Sequence, residues 1–198
     1  MKRLLLILIL MFNFQSLTKA DDIRDFEIEG MSIGDSLLDY FSLSQITKEL
    51  EVKNEYTYFY GTDYASISLW VIRDTFKIYD DIGVVIKTND KNYKIYSLSG
   101  TFTDQSGKIE DCYDKQNIIA KDIEKIIDPK YKYDLWFVEK ERLKSHQLSI
   151  RYVDFISSNG RRPFSIACFD ITKDNDDYTL LNVSVDSEEF DKYLDSIN

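Results

Sequence analysis

The hydrophobic pattern of this chain changes period several times, and each change marks an element. Residues 1–20, MKRLLLILILMFNFQSLTKA, open with cations and continue as an almost unbroken apolar run from Leu4 to Phe14. Residues 25–42, DFEIEGMSIGDSLLDYFS, begin in alternation, break at Gly30 and Gly34, and then take helical spacing. Leu37, Leu38, Tyr40 and Phe41 mark the apolar side of a short helix capped by Asp35 or Ser36, with Leu37, Leu38 and Phe41 expected in the core. A second short helix, QITKEL, follows Ser44 and ends near Val52. The two glycines permit φ > 0 turns, so the block reads as a structural junction.

From Tyr56 the period shortens to two. YTYFY (56–60), ASISLWVI (65–72) and TFKIYD (75–80) read as short strands, although 65–74 fits a loop as well. IGVVIKT (82–88) and NYKIYSLSGTF (92–102) flank the turn residues Asn89, Asp90 and Lys91. Residues 108–128 then form an amphipathic helix. Ile109, Cys112, Tyr113, Ile119, Ile123, Ile126 and Ile127 lie on its apolar face, and Pro129 ends it. Residues 130–147, KYKYDLWFVEKERLKSHQ, keep no clean period and read as an irregular crossing segment. LSIRYVDFIS (148–157) and RRPFSIACFDIT (161–172) flank Ser158-Asn159-Gly160, a strong hairpin signal. KDNDD (173–177) turns the chain into YTLLNVSVDS (178–187), and Asp186 or Ser187 caps a last helix carrying Phe190, Tyr193, Leu194 and Ile197 on one face. The architecture this predicts is α+β, an antiparallel sheet with amphipathic helices packed on one face. Residues 21–198 form one domain, and its halves, 21–128 and 129–198, share the order of meander then helix.

Composition places the chain outside the cytoplasm. Lys2 and Arg3, the apolar run, and the small residues Thr18 and Ala20 are laid out as a secretory signal peptide over residues 1–20, cleaved after Ala20. The alternative is an uncleaved anchor, but the run is shorter than the roughly 18 residues a span needs. No cysteine lies near the cut, which excludes lipid attachment there, and no later segment is apolar enough to insert stably in a membrane. Removing Lys2, Arg3 and Lys19 leaves 22 basic against 35 acidic residues, a net charge of −13 that repels nucleic acid and anionic lipid. The expected location is periplasmic or secreted. In an oxidising compartment the two cysteines, Cys112 and Cys168, form a disulfide. Closing that loop stabilises by about 3 to 4 kcal/mol, and the alternative is a pair of buried free thiols.

Candidate chemistry is sparse. His146 is the only histidine and sits in a polar stretch, so it reads as a surface residue rather than a general base. Zinc-ligand spacing is missing. Asp80-Asp81 and Asp174-Asn175-Asp176-Asp177 offer oxygen ligands for Ca²⁺, but both coincide with expected turns, and the second lacks the central Gly and distal Glu of a calcium loop. Gly30 and Gly34 are too sparse for a phosphate loop. Tyr56, Tyr58, Tyr60, Trp70 and Trp136 either line a ligand groove or pack across strands. Near Cys112, Glu110, Asp111 and Asp114 oppose thiolate formation, which favours the structural bond over a reactive thiol. No catalytic, cofactor or metal residue is assigned.

The block Phe26-x-Ile28-Glu29-Gly30-x-Ser32-Ile33-Gly34-Asp35-Ser36-Leu37-Leu38-Asp39-Tyr40 resembles that of a group of short exported bacterial proteins of unknown function. Gly30-Met31-Ser32, followed by two short helices and antiparallel strands over residues 30–102, is also similar to outer-membrane assembly lipoproteins of the SmpA/OmlA type. This chain departs from the latter in lacking a lipid-attachment cysteine. The resemblances imply the fold and the compartment and carry no activity. The functional expectation is a non-catalytic envelope protein that binds a protein or small molecule without any cofactor. The alternative is a carboxylate-dependent hydrolase of an envelope polymer, which needs two converging acids in a cleft. Mass spectrometry of the exported protein is expected to give a mature chain beginning at Asp21, and a chain retaining Met1 would refute the signal peptide.

Overall fold

The computed structural model describes residues 23–51, 58–69, 72–143, 146–173 and 176–197. The signal-peptide assignment therefore lies outside the described residues, as do Tyr56, Trp70, Asp174 and Asn175. After a 3₁₀ turn at Ile23–Asp25, the short strands β1 (Glu27–Ile28) and β2 (Met31–Ser32) form a two-stranded hairpin. Gly30 and Gly34 take φ of 80° and 97°, the left-handed conformations expected of them. A single 3₁₀ turn, Leu37–Asp39, replaces the expected first helix. Helix α1 (Leu43–Glu51) follows, with Ile46 buried.

The GMSIGDS block is tied down as a junction. The Ser36 hydroxyl accepts from the Leu38 N–H, and the Ser36 N–H donates to Asp39 in return, a reciprocal cap. The Gly34 N–H donates to the Ile95 carbonyl, and the Ser32 N–H donates to Asp35. Neighbouring residues of a 3₁₀ turn lie about 120° apart, so Leu37 and Leu38 face different ways when the turn docks on the core. Leu37 is fully buried, whereas Leu38 is 42% exposed. Phe41 is half-buried against the core. The expectation that Leu38 is core is thus corrected.

Strands β3 (Tyr58–Tyr60), β4 (Tyr64–Ser68), β5 (Asp81–Lys87) and β6 (Ser97–Asp104) form an antiparallel meander. Residues 75–80 are not a strand. They follow the 3₁₀ turn Arg73–Thr75, and their amides at Lys77, Ile78 and Tyr79 donate to the Glu29 carboxylate instead of to a neighbouring strand. After β6 comes helix α2 (Ile109–Ile126). A second meander follows: β7 (Lys132–Leu143), β8 (His146–Ile156), β9 (Phe164–Lys173) and β10 (Asp176–Asp186), then helix α3 (Glu188–Ile197). Residues 130–147, expected to be irregular, thus contribute the longest strand of the sheet. All eight strands join in the order β3-β4-β5-β6-β10-β9-β8-β7. The two halves meet where β6 pairs antiparallel with β10.

Alternation separates the two faces of this sheet. Ile67, Ile82, Val84, Leu98, Leu181, Val185, Ile166, Val153 and Phe155 point to the face covered by α2 and the N-terminal segment, where they form the main core. The architecture is the expected α+β, with one refinement to the placement of helices. Helix α3 lies on the opposite face, where Phe190 packs with Tyr64, Val85 and Tyr96 in a smaller cluster. Ser187 caps it, its hydroxyl accepting from the Phe190 N–H. Replacing Leu37 by Ala is expected to cost about 2 to 5 kcal/mol as a core truncation. Leu38→Ala is expected to stay within about 0.5 kcal/mol as a surface change. Urea denaturation of the two variants measures both.

Candidate functional site

Helix α2 is fixed to the sheet by three unlike contacts. Cys112 in its first turn is bonded to Cys168 of β9, with Cα atoms 6.0 Å apart, so the expected disulfide is present. One turn on, Gln116 is fully buried, and its amide Nε2 donates to the carbonyls of Arg151 and Ile166. Arg151 on β8 lays its guanidinium 3.8 Å from the Tyr113 ring centroid and donates to the side chains of Gln116 and Asn117 and to the Tyr113 carbonyl. The helical pattern marked Cys112, Tyr113 and Ile123 on this face but missed Gln116, since a polar residue carries no hydrophobic signal. Its spacing of four residues from both Cys112 and Ala120 was the available clue.

Beyond α2 the sheet continues uncovered to β7. No strand lies outside β7 among the described residues, so its outer backbone edge is free to pair. Tyr133, Leu135 and Phe137 alternate on the α2 face of this edge strand, opposite Phe155, Val153 and Arg151 of β8. They are 45%, 44% and 55% exposed, a row of three large apolar side chains where an edge strand ordinarily carries charge. On the other face, Trp136 stacks on Tyr152 with centroids 4.1 Å apart, and its indole N–H donates to Asp154 at 2.6 Å. This pins the middle of β7. The pairing stays regular from Lys132 to Val138 and shifts between Val138 and Glu141.

Three grooves among the described residues lie away from this edge. The largest, about 500 Å³, runs beside Gly30, Met31, Tyr40, Phe76 and Lys77. Glu29, in a left-handed conformation at φ 53°, sends its carboxylate into the three amides of residues 77–79. Burial pushes that carboxyl up, but the backbone donors and Lys77 outweigh it and hold its pKa below the ordinary value. An apolar groove of about 300 Å³ lies between Phe26, Tyr79, Ile119, Ile126 and Val183. A polar one of about 360 Å³ sits at the start of α3 beside Lys94, Lys130 and Arg161. Its two exposed acids are engaged: Glu188 pairs with Arg161 and Lys192, and Glu189 with Lys87.

A separate set of acids lies beneath α3. Asp154 is buried and accepts from Trp136 and Ser165, with Arg162 at 3.6 Å. Burial pushes Asp186 up to about 6, opposed by a hydrogen bond from Ser97 and reinforced by Asp191 and Asp154. Asp191 is raised as well, first by burial and then by Asp195.

The other sequence candidates are dispersed. His146 opens β8, and its side chain lies outside the described residues. Asp80 accepts from the Thr103 N–H and Asp81 from the Ser68 hydroxyl, so both serve local structure. Asp176 and Asp177 lie in β10, not in a turn. Among the described residues, no three His, Cys, Asp or Glu side chains converge to hold a metal. Tyr60 packs edge-on against Phe190, and Trp136 belongs to the β7 edge. Comparison with protein-family models, curated proteins and solved structures yields no match for this chain.

The acids beneath α3 give a pH dependence of definite sign. A carboxyl raised above its unfolded value binds its proton more tightly in the folded state, so its contribution is present at low pH and lost as pH rises through about 6. Glu29, Glu188 and Glu189 are shifted down and act below their ordinary values. Between pH 5 and 7, therefore, the urea midpoint of the wild type is expected to fall, and Asp186→Asn is expected to flatten the curve in that window.

Proposed function

We propose that this protein is an exported, non-catalytic binding protein of an oxidising extracytoplasmic compartment, and that it takes a protein partner by strand addition at β7. The observation that carries this reading is the free edge of β7 with Tyr133, Leu135 and Phe137 exposed beside it. A bare edge supplies main-chain donors and acceptors for an incoming strand, and alternating apolar side chains supply its grip. The Cys112–Cys168 bond supports the compartment, since such bonds persist where thiols are not kept reduced. The apolar groove at Phe26, Tyr79 and Ile119 supports a small apolar ligand as the second reading. The hydrolase alternative has less support, because Glu188 and Glu189 are held in ion pairs and Asp154 is bound to Trp136 and Ser165.

Photo-crosslinking in cells tests the reading. A benzophenone side chain at Phe137 is expected to give protein adducts, one at the exposed Ile78 is expected to give none, and Leu135→Lys is expected to abolish the Phe137 adducts without changing the melting temperature. Equal labelling from both positions would refute strand addition. A co-purifying small molecule seen by native mass spectrometry, with no adduct at Phe137, would favour the groove instead.

A further inference from the structure

The two edges of the sheet are unequal. Among the described residues, β3 ends the sheet with three, Tyr58–Tyr60, and β7 ends it with twelve, Lys132–Leu143. Natural edge strands are kept short, broken by proline or bulges, or loaded with charge. β7 has no proline, and its register shift and four of its six charged residues come after Val138, which leaves Lys132 and Asp134 as the only charges in the regular part. The regular part, Lys132–Val138, is seven residues long, and its middle residue is Leu135. Leu135 is also the middle of the exposed apolar row.

We propose that the strand which fits this edge is β7 of a second copy, paired antiparallel about a two-fold axis through Leu135. This rests on the reading of β7 as a strand-addition edge. A two-fold axis perpendicular to the sheet keeps each face on its own side and makes the contact isologous, with the same patch used by both copies. In this register Leu135 meets the second copy's Leu135, and Tyr133 meets Phe137 twice. These are three consecutive apolar cross-strand pairs on the α2 face, the kind that stabilises antiparallel ladders. On the other face Lys132 meets Val138 and Asp134 meets Trp136, so no like charges stand opposite each other. Within the regular part the two-fold through Leu135 pairs all seven residues, whereas the one through Trp136 pairs five, the one through Phe137 pairs three, and the one through Asp134 sets that carboxylate against its own copy. Like charges directly opposed destabilise a ladder, so the Leu135 register, with none of these and the most pairs, is the one the side chains select. The sheet becomes sixteen strands long, twice the eight of one copy. A ladder of this length buries less than the roughly 800 Å² per partner of a standard interface, so the dimer is expected to exchange and to depend on concentration.

Cysteine scanning reads both the partner and the register. The native cysteines are bonded to each other, and none among the described residues is free. In the mature chain, Leu135→Cys is expected to oxidise to a disulfide-linked dimer, since directly opposed Cα atoms lie about 4.5 to 5.5 Å apart. Tyr133→Cys alone is expected to stay monomeric, its copies standing about 14 Å apart along the strands. Combining Tyr133→Cys with Phe137→Cys is expected to restore the linked dimer. Sedimentation of the wild type is expected to show reversible dimerisation that strengthens with salt, as screening reduces repulsion between two acidic copies. Circular dichroism of each variant confirms folding. A monomeric wild type at all concentrations, with no link from a folded Leu135→Cys variant, would overturn the second copy as partner. If Phe137 still crosslinks to a different polypeptide in that case, strand addition stands and only the partner is wrong. If neither is seen, both fall. A dimer linked through Tyr133→Cys alone would overturn the register.

Discussion

The structure depends on how α2 is held against the second meander. The helix leaves β6 in the first half of the chain and crosses onto β9 and β10 in the second. Three contacts of different physical kinds fix it there. The Cys112–Cys168 bond closes a loop 56 residues long, which limits the unfolded chain and is worth about 4 kcal/mol by loop-closure entropy. Gln116 satisfies two strand carbonyls inside the core, where an unmet polar group costs about 1 to 3 kcal/mol. Arg151 reaches from β8 to the helix flank and covers the Tyr113 ring. The apolar contacts of Ile119 and Ile123 set the helix on the sheet, but they are not directional. The polar and covalent contacts decide its rotation and position.

With α2 placed, the rest of the architecture follows from pairing. Each half of the chain makes a four-stranded meander, and the last strand of one pairs with the last strand of the other. The main core is therefore shared, drawing on β4, β5 and β6 as much as on β8, β9 and β10. Helix α3 cannot join it, because α2 and the N-terminal segment already cover that face. It seals the opposite face at one end instead, over Tyr64, Val85 and Tyr96. The acids carried or covered by α3 lose water on docking, which is why Asp186 and Asp191 are shifted up together.

The same geometry leaves β7 exposed. Helix α2 reaches β8 through Arg151 and stops there, so the apolar side chains one strand further out have no cover. On the other face, Trp136 ties the strand to Tyr152 and Asp154. The regular part of β7 is already extended and paired with β8 beneath an exposed apolar row, which lowers the entropy lost when a strand is added to it.

The sequence by itself determined the elements whose pattern is local. The Asn159-Gly160 turn, the amphipathic face of residues 109–126, the turn glycines at 30 and 34, and the last helix with its Ser187 cap can all be read from spacing and turn chemistry. With only Cys112 and Cys168 in the chain, the partners of any internal disulfide needed no geometry to identify, because no other cysteine competes. Tertiary structure alone decided the rest. The run Leu135-Trp136-Phe137-Val138 is apolar on both faces, so alternation is hidden, and only pairing with β8 shows it to be a strand. Leu38 has the same hydrophobicity as Leu37, and only the docking of their turn, held by the Leu37 N–H donating to the Tyr93 carbonyl, decides which is buried and which exposed. Residues 75–80 have strand-forming composition, yet their amides are taken by Glu29, about fifty positions away. Local spacing fixes which residues share a face. Which faces are covered depends on contacts between distant segments, and those are settled only when the chain closes on itself.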